Sequence, residues 1–171
     1  MNPTTAAKTA NYPALRSMLD YLDGLRGLAD LDVLAGLLRD RAITRDDLAP
    51  ACIFKPDRYQ RNTIRETKWY ELVCLCWSSG QRTPIHDHEG SSCAFLVVEG
   101  TATETRFDRT ESGLICPSWT KHHLPGYVCA SSAADVHRVA NTQPKGEDLI
   151  TLHVYSPKLV GYNIYTLDTP K

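Results

Sequence analysis

Apolar residues in the first quarter of the chain recur with the period of a helix. Between residues 12 and 29 they are three or four positions apart, which is typical of an amphipathic helix with one face against a core. These positions are Leu15, Met18, Leu19, Leu22, Leu25 and Leu28. The same spacing over residues 31–38 predicts a second helix. Thr44, followed three residues later by Asp47, resembles a helix N-cap with its capping-box partner.

From residue 70 onward the pattern changes to short apolar runs separated by Gly, Pro and Ser. Runs of this length between turn residues predict β-strands. We expect strands at residues 71–77, 92–98, 101–107, 120–123, 127–130, 137–140, 149–155 and 162–167. Closely spaced strands without helices between them indicate an all-β barrel or jelly roll. We therefore expect one structural domain, in which a helical segment over residues 1–50 packs on a barrel formed by residues 51–171.

Length and charge narrow the classes of function. The 171 residues fit one domain, and 19 Lys and Arg balance 20 Asp and Glu without long runs of either sign. A nucleic-acid partner is therefore not expected. No apolar run approaches the length of a membrane span, and the start of the chain is polar, so we expect a soluble cytoplasmic protein with no membrane contact. The six cysteines then read as reduced thiols that mostly fill apolar surroundings.

The candidate chemistry lies in the histidines, all six of which follow residue 85. His86 and His88 are two apart in an extended segment, so both rings point to one face. Two neutral imidazoles on one face suit Zn, Fe, Ni or Cu. His137 lies in another predicted strand, and of the adjacent pair His122 and His123 only one can face inward. A single histidine in an apolar strand is more often a core residue than a metal ligand. The spacing of the histidines relative to other residues is therefore needed to distinguish the two.

The spacing of glycines and histidines resembles the two motifs of the cupin superfamily. The matching positions are Gly80, His86, His88, Gly100, His137 and Asn141. This resemblance implies an all-β cupin jelly-roll barrel, here with an N-terminal helical segment. Where the first motif commonly has a metal-binding Glu, this chain has Cys93. Residues 132–134 are Ser-Ala-Ala, whereas the second motif has Pro-x-Gly there. This difference does not affect His137, the histidine of the second motif.

Further residues resemble one cupin family, the cysteine dioxygenases, over residues 58–165. The positions that carry the resemblance are 59–62, 75–77, 85–88, Cys93, 137–139, Asn141 and 153–157. It implies that His86, His88 and His137 hold Fe(II). It also implies that both atoms of O2 are added to the thiol of L-cysteine to give cysteine sulfinate. Three neutral ligands leave the full charge of the ion available to a thiolate.

The resemblance also implies that Arg61 and Tyr59 bind the substrate. A guanidinium recognises a carboxylate through two parallel hydrogen bonds. Apart from the family resemblance, the sequence indicates no more than an ordinary surface arginine at position 61. Related mercaptopropionate dioxygenases have glutamine at this position, and Gln60 is adjacent, so 3-mercaptopropionate or another small thiol is the first alternative substrate. Asn62 follows Arg61 as in the cysteine-type motif, and no arginine follows Arg138, so we favour cysteine.

Three positions match catalytic residues of the family. His153 and Tyr155 share one face of a strand, and the resemblance implies that the phenol points at the substrate while the histidine orients it. Cys93 matches a cysteine that mammalian-type members join to this tyrosine as a thioether, whereas many bacterial members have glycine. We predict that Cys93 and Tyr155 lie close enough to cross-link; the alternative is a small buried hydrophobe. The resemblance further implies a cis peptide between Ser156 and Pro157.

Two other classes of function stay open at this point. A zinc or nickel cupin isomerase or hydrolase fits the histidine spacing, because spacing alone does not select the metal. The second class is a non-catalytic cupin sensor with the helical segment as its interaction module. Residues 12–47 are not basic enough for a DNA-binding helix-turn-helix.

Overall fold

The fold is described from a computed structural model, which covers residues 11–40 and 42–167. A short 3₁₀ helix, Pro13–Leu15, leads into helix α1, Arg16–Gly24. Helix α2, Leu31–Arg39, and a second 3₁₀ helix, Asp46–Ala51, complete the helical part. Residues 1–10, 41 and 168–171 lie outside the described ranges, and the far ends of the predicted segments 1–50 and 51–171 lie there with them.

The helix boundaries follow from local chemistry. The predicted helix over residues 12–29 ends early, at Gly24, because glycine is a poor helix former and Leu25 adopts an extended conformation. The predicted second helix is confirmed, and its N-cap is Asp30, whose carboxylate accepts hydrogen bonds from two backbone N–H groups. The predicted pair makes the reciprocal bonds of a capping box: the Thr44 N–H donates to the Asp47 carboxylate (2.9 Å), and the Asp47 N–H donates to the Thr44 hydroxyl (3.4 Å). The N-cap of the 3₁₀ helix is nevertheless Arg45, one residue after the predicted Thr44.

Over the described part of the chain, eight strands form two antiparallel sheets, which confirms the prediction of an all-β barrel behind a helical segment. The strands are β1 Gln60–Glu66, β2 Glu71–Trp77, β3 Ser92–Glu99, β4 Ala102–Arg109, β5 Ile115–His123, β6 Val128–Ser131, β7 His137–Ala140 and β8 Leu149–Ser156. One sheet has the order β1-β2-β8-β3-β6, and the other has the order β5-β4-β7. The division into residues 1–50 and 51–171 stays a prediction.

One predicted strand is wrong, and one strand of the structure was not predicted. Residues 162–167 form isolated bridges at Ile164 and Leu167 instead of a strand. Their apolar side chains are largely exposed, and hydrogen bonds to the Asp87 side chain hold part of the segment in place of a ladder. Conversely, β1 was not expected, because its sequence is mostly polar and lacks an apolar alternation. It forms nonetheless because it pairs along β2.

Strand β2 has both of its faces covered. Its outer face, formed by Leu72, Cys74 and Cys76, lies in the same apolar cluster as the helices. Its inner face, formed by Val73, Leu75 and Trp77, lies in the cluster inside the barrel. All seven residues of β2 are buried, as in other strands that are enclosed on both sides. Within the described residues, no helix is both long and apolar enough to cross a membrane.

Candidate metal centre and cavity

Three histidines converge at one end of the barrel. His86 pairs with His137, the first residue of β7, through two reciprocal backbone hydrogen bonds of 2.9 Å. His88 follows in the same loop, and its Nε2 lies 3.2 Å from Nε2 of His137. One ligand atom from each of the three rings lies within 4.8 Å of the others, and all three residues are buried. The structure therefore brings together the three residues that the sequence predicts as metal ligands.

The ring orientations suit a single metal ion. Nδ1 of His86 lies 3.1 Å from the carbonyl of Pro84, and Nδ1 of His137 lies 2.9 Å from the Glu104 carboxylate. Both Nδ1 atoms therefore donate, and both Nε2 atoms present lone pairs. Imidazole nitrogens at about 2.1 Å from one ion, at right angles to each other, are roughly 3 Å apart. The separation of 3.2 Å between His88 and His137 fits this arrangement.

The environment keeps these imidazoles neutral. Burial, and then the neighbouring His137, lower the pKa of His86 to about 4 and that of His88 to about 2. Neutral imidazole is the form that binds metals, so at neutral pH neither ring has to lose a proton first. Nδ1 of His88 is buried and has no hydrogen-bond partner within the described chain.

A buried carboxylate behind the histidines was not anticipated from the sequence. Glu104, on β4, is fully buried and accepts hydrogen bonds from His137 (2.9 Å), His123 (3.0 Å) and Arg106 (2.9 Å). Burial alone would raise its pKa, but the hydrogen bond from His137 and the charge of Arg106 lower it to about 2. His123 is therefore the inward member of its pair, and His122 is exposed.

The three-histidine centre borders a cavity of about 320 Å³. His86 and His137 line it, whereas His88 does not. Leu75 and Val139 contribute apolar wall, and Tyr162, whose ring meets His86 edge-on at 5.7 Å, stands near the metal-facing side. The enclosed volume suits a small molecule.

Arg61 extends from β1 into this cavity. Its Nη2 donates a hydrogen bond of 2.9 Å to Glu71, and its guanidinium carbon lies 5.3 Å from the centre of the Tyr155 ring. Burial disfavours the charge of Arg61, but Tyr155 and Glu71 outweigh burial and raise its pKa. Gln60 turns away and donates to the Arg61 carbonyl (2.9 Å). Tyr59 stacks on Trp77 with ring centres 4.4 Å apart and also lines the cavity.

A chain of hydrogen-bonding groups leads to Tyr155. The indole N–H of Trp77 donates to the Thr151 hydroxyl (3.0 Å), which lies 2.9 Å from Nε2 of His153. Nδ1 of the same ring lies 3.4 Å from the Tyr155 oxygen. The two ring nitrogens of His153 therefore connect Thr151 to the phenol, and the tautomer of the ring sets which atom of each pair donates.

Cys93 and Tyr155 are directly opposite each other on the paired strands β3 and β8. The Cys93 sulfur lies 3.8 Å from Nδ1 of His153. Burial, as the main cause, raises the pKa of the Cys93 thiol and that of the Tyr155 phenol, so both stay protonated at neutral pH. The register makes these two residues cross-strand neighbours, and the cross-link between them stays a prediction.

The loop that carries His86 and His88 is hydrogen-bonded to the segment after β8. Asp87 accepts hydrogen bonds from the backbone N–H of Asn163 (3.1 Å) and from the hydroxyl of Tyr165 (2.6 Å). Burial opposes the charge of Asp87, but these hydrogen bonds lower its pKa to about 2. The Ser156–Pro157 peptide is cis, as the family resemblance implies.

This barrel is a double-stranded β-helix of the cupin class. A conserved protein with a double-stranded β-helix domain from Klebsiella pneumoniae superposes with a TM-score of 0.58 at 19% identity, covering 69% of this chain and 88% of its own. A protein from Thermus thermophilus superposes with a TM-score of 0.55, also at 19% identity, covering 69% and 99%. These similarities establish the fold and no more.

The chain belongs to the family described as cysteine dioxygenase type I, which matches residues 1–167. It is 32% identical to cysteine dioxygenase type 1 of Danio rerio over 111 residues and 33% identical to that of Rattus norvegicus over 110 residues. Each alignment covers 61% of this chain and 54% of the relative. The chain thus spans about half the length of the curated relatives that it matches.

Proposed function

We propose that the protein is a cytoplasmic, iron(II)-dependent thiol dioxygenase that adds both atoms of O2 to L-cysteine and forms cysteine sulfinate. The observation that carries this proposal is a single cavity lined both by ligating imidazoles and by the Arg61 guanidinium. Membership of the cysteine dioxygenase family supports the reaction class. Three neutral nitrogen ligands support a divalent ion that has to accept an anionic sulfur.

Each group around the cavity has a separate task in this proposal. When bound, Fe(II) supplies the open coordination positions and the redox chemistry that join a thiolate to O2. Arg61 binds the substrate carboxylate, and Glu71 fixes the guanidinium on its other side through the 2.9 Å hydrogen bond. The stacked rings of Tyr59 and Trp77 form a wall beside the substrate.

Tyr155 orients the reacting groups from its side of the cavity. In this proposal His153 donates to the phenol oxygen, which lies 3.4 Å from Nδ1, so the phenol proton is available to hydrogen-bond a substrate or oxygen atom. Thr151, which accepts from the Trp77 indole, contacts Nε2 and holds the His153 ring in place. The raised pKa of Tyr155, caused mainly by burial, keeps that proton in place at neutral pH.

Cys93 and Tyr155 are proposed to form a thioether. The reaction would join Sγ to a ring carbon of Tyr155 and break one S–H and one C–H bond. The two protons and two electrons released would pass to O2, which is the co-substrate. The cross-strand register of the two residues supports this proposal. Intact mass after turnover tests it: a species lighter by two hydrogens is expected, and its absence would contradict the cross-link.

The first alternative substrate is 3-mercaptopropionate. The position of Arg61 in the cavity, with Gln60 turned to the backbone, favours the cysteine-type register over a one-residue shift. Both substrates carry a carboxylate, so only turnover separates them. A zinc or nickel enzyme and a non-catalytic sensor are the remaining alternatives, and the family match favours neither.

The test is oxygen uptake by anaerobically purified, iron-loaded protein with L-cysteine, 3-mercaptopropionate and cysteamine. We expect cysteine to be the best substrate and cysteine sulfinate to be the product. Much faster turnover of 3-mercaptopropionate would make the substrate assignment wrong. A lack of thiol-dependent uptake, together with bound zinc or nickel, would make the reaction class wrong.

A further inference from the structure

A second cluster of metal-binding side chains lies on the outer face of β2. Cys74 and Cys76 are two residues apart on that strand, so both sulfurs point away from the barrel interior. Cys52, just after the second 3₁₀ helix, brings a third sulfur to them. All three sulfurs lie within 4.8 Å of one another. The inner face of β2 separates this cluster from the cavity.

The separation of the sulfurs matches coordination of one ion. The sulfurs of Cys74 and Cys76 are 3.9 Å apart. Thiolates at about 2.3 Å from one ion, in a trigonal or tetrahedral arrangement, are roughly 3.8–4.0 Å apart. A disulfide would need a separation of about 2.05 Å, and all three residues are free thiols.

The surroundings provide one donor to the sulfurs and acceptors for two of the thiol protons. The Asn62 amide donates to the Cys76 sulfur at 3.6 Å. The thiols of Cys76 and Cys52 donate to the carbonyls of Ala51 and Arg45, each at 3.7 Å, and a metal ion would replace the protons of these two bonds. Cys74 and Cys76 are completely buried, whereas Cys52 is partly exposed and provides an entry path. The site is therefore buried at Cys74 and Cys76 and accessible to solvent at Cys52.

A thiolate is the form that ligates metals, so binding of an ion displaces the thiol protons of the cluster.

We propose that Cys52, Cys74 and Cys76 form a second metal site, which binds one Cu(I) ion. Soft thiolates select thiophilic ions, whereas imidazoles suit iron, so the two clusters on opposite sides of β2 take different metals. Within residues 11–40 and 42–167, no fourth Cys, His, Asp or Glu joins the cluster. Structural zinc almost always has four ligands, so a three-sulfur set favours Cu(I).

The test is anaerobic competition for Cu(I) between a chromogenic chelator and protein whose histidine centre is filled with Fe(II). We expect one Cu(I) per chain in addition to iron. Cys52→Ser, at a partly exposed position, should weaken Cu(I) binding at least about tenfold, because it removes a direct ligand. Cys74→Val should do the same. The matched control is Cys116→Ser, at a partly exposed cysteine outside the cluster, which should bind as the unaltered protein does.

A further variant distinguishes Cu(I) binding at the cysteine cluster from Cu(I) binding at the histidine centre. His86→Ala should keep its Cu(I) affinity, because the imidazole is not part of the cysteine cluster. The proposal is wrong if the unaltered protein fails to compete for Cu(I), or if Cys52→Ser binds as well as Cys116→Ser does. It is also wrong if His86→Ala abolishes Cu(I) binding, or if only Zn(II) binds in a cysteine-dependent manner. Thermal unfolding of each variant shows that it is folded.

Discussion

The two faces of strand β2 lead into regions of opposite character. The inner face borders a cavity in which Arg61, Glu71 and the histidines are held by specific hydrogen bonds. The outer face lies under the helices, where leucines pack with the thiols of Cys74 and Cys76. Buried charges require partners, whereas apolar side chains and thiols require only close packing. Changes on the inner side should therefore alter chemistry, and changes on the outer side should alter mainly stability.

The largest effect is expected at Glu104, which is the centre of the inner network. Glu104→Ala leaves the buried His137 and His123 without their acceptor and Arg106 with Asp135 as a partner. Unpaired buried groups cost about 1–3 kcal/mol each, so the free energy of unfolding should fall by about 3–5 kcal/mol. The substitution should also lower metal affinity about 10–100-fold, since His137 loses its orienting partner. Urea unfolding and metal competition measure the two effects. Glu99→Ala, at a half-exposed ion pair, is the control and should change either quantity little.

Leu38→Ala tests the outer region. Leu38 lies in α2, is fully buried, and belongs to the cluster beneath the helices. The substitution should lower the free energy of unfolding by about 2–5 kcal/mol while the KM for the thiol stays the same in the folded protein. Leu28→Ala, whose side chain is 68% exposed, serves as the control. A changed KM in Leu38→Ala would show that the two regions are not independent.

Arg61→Ala tests the proposed carboxylate site. Charged hydrogen bonds contribute about 1.5–3 kcal/mol, so KM for cysteine should rise roughly 10–100-fold. Cysteamine, which has no carboxylate, should be little affected. Arg61→Lys keeps the charge but loses the paired hydrogen bonds, and it should recover only part of the affinity. Steady-state kinetics on both thiols measure this, and an equal loss on both would contradict the assignment.

The pH dependence of the metal-free protein tests the buried histidines. The pKa of His86 is lowered to about 4, mainly by burial, whereas an unfolded histidine titrates near 6.5. Between these pH values the unfolded chain binds a proton that the folded protein excludes. Stability should therefore fall with falling pH by about 1.4 kcal/mol per pH unit for this residue. Urea unfolding at several pH values should give a shallower slope for His86→Gln; identical slopes would contradict the prediction.

The smallest effect is expected at Glu71. Its carboxylate lies 2.9 Å from Arg61 and partly neutralises the guanidinium. Glu71→Gln keeps a hydrogen-bond acceptor but removes the charge, so KM for cysteine should fall up to about fivefold, which corresponds to about 1 kcal/mol or less for a partly exposed pair. Glu66→Gln, at the cavity rim beside Lys158, is the control. An increase in KM would mean that the charge of Glu71 is needed to orient Arg61.

The sequence predicted the parts of the molecule that have a periodic or spaced pattern. Short apolar runs predicted β2 and β8, and the spacing of His86, His88 and His137 predicted the three-histidine cluster. Glu104 was missed because the polar run in β4 resembles an exposed strand, although Glu104 faces the same way as the fully buried Ala102. The position of Glu104 on the same face as Ala102 was the only feature of the sequence that could have indicated its burial.

Non-local pairing accounts for the other differences. Glu71 reads as an ordinary strand residue until β1 brings Arg61 beside it. The clustering of Cys52 with Cys74 and Cys76 requires a 3₁₀ helix to dock on the sheet, which no local pattern indicates. Sequence reasoning thus located ligands within one segment better than partners contributed by distant segments.

The most direct test of the central claim is oxygen uptake with L-cysteine by iron-loaded protein, measured beside His86→Ala at equal protein concentration. The proposed centre predicts uptake that depends on both thiol and iron, with cysteine sulfinate as product, and a rate in His86→Ala at least about 100-fold lower because a direct ligand is lost. Equal uptake by the two proteins, or none by the iron-loaded wild-type protein, would contradict the assignment of the three-histidine cluster as the catalytic iron site.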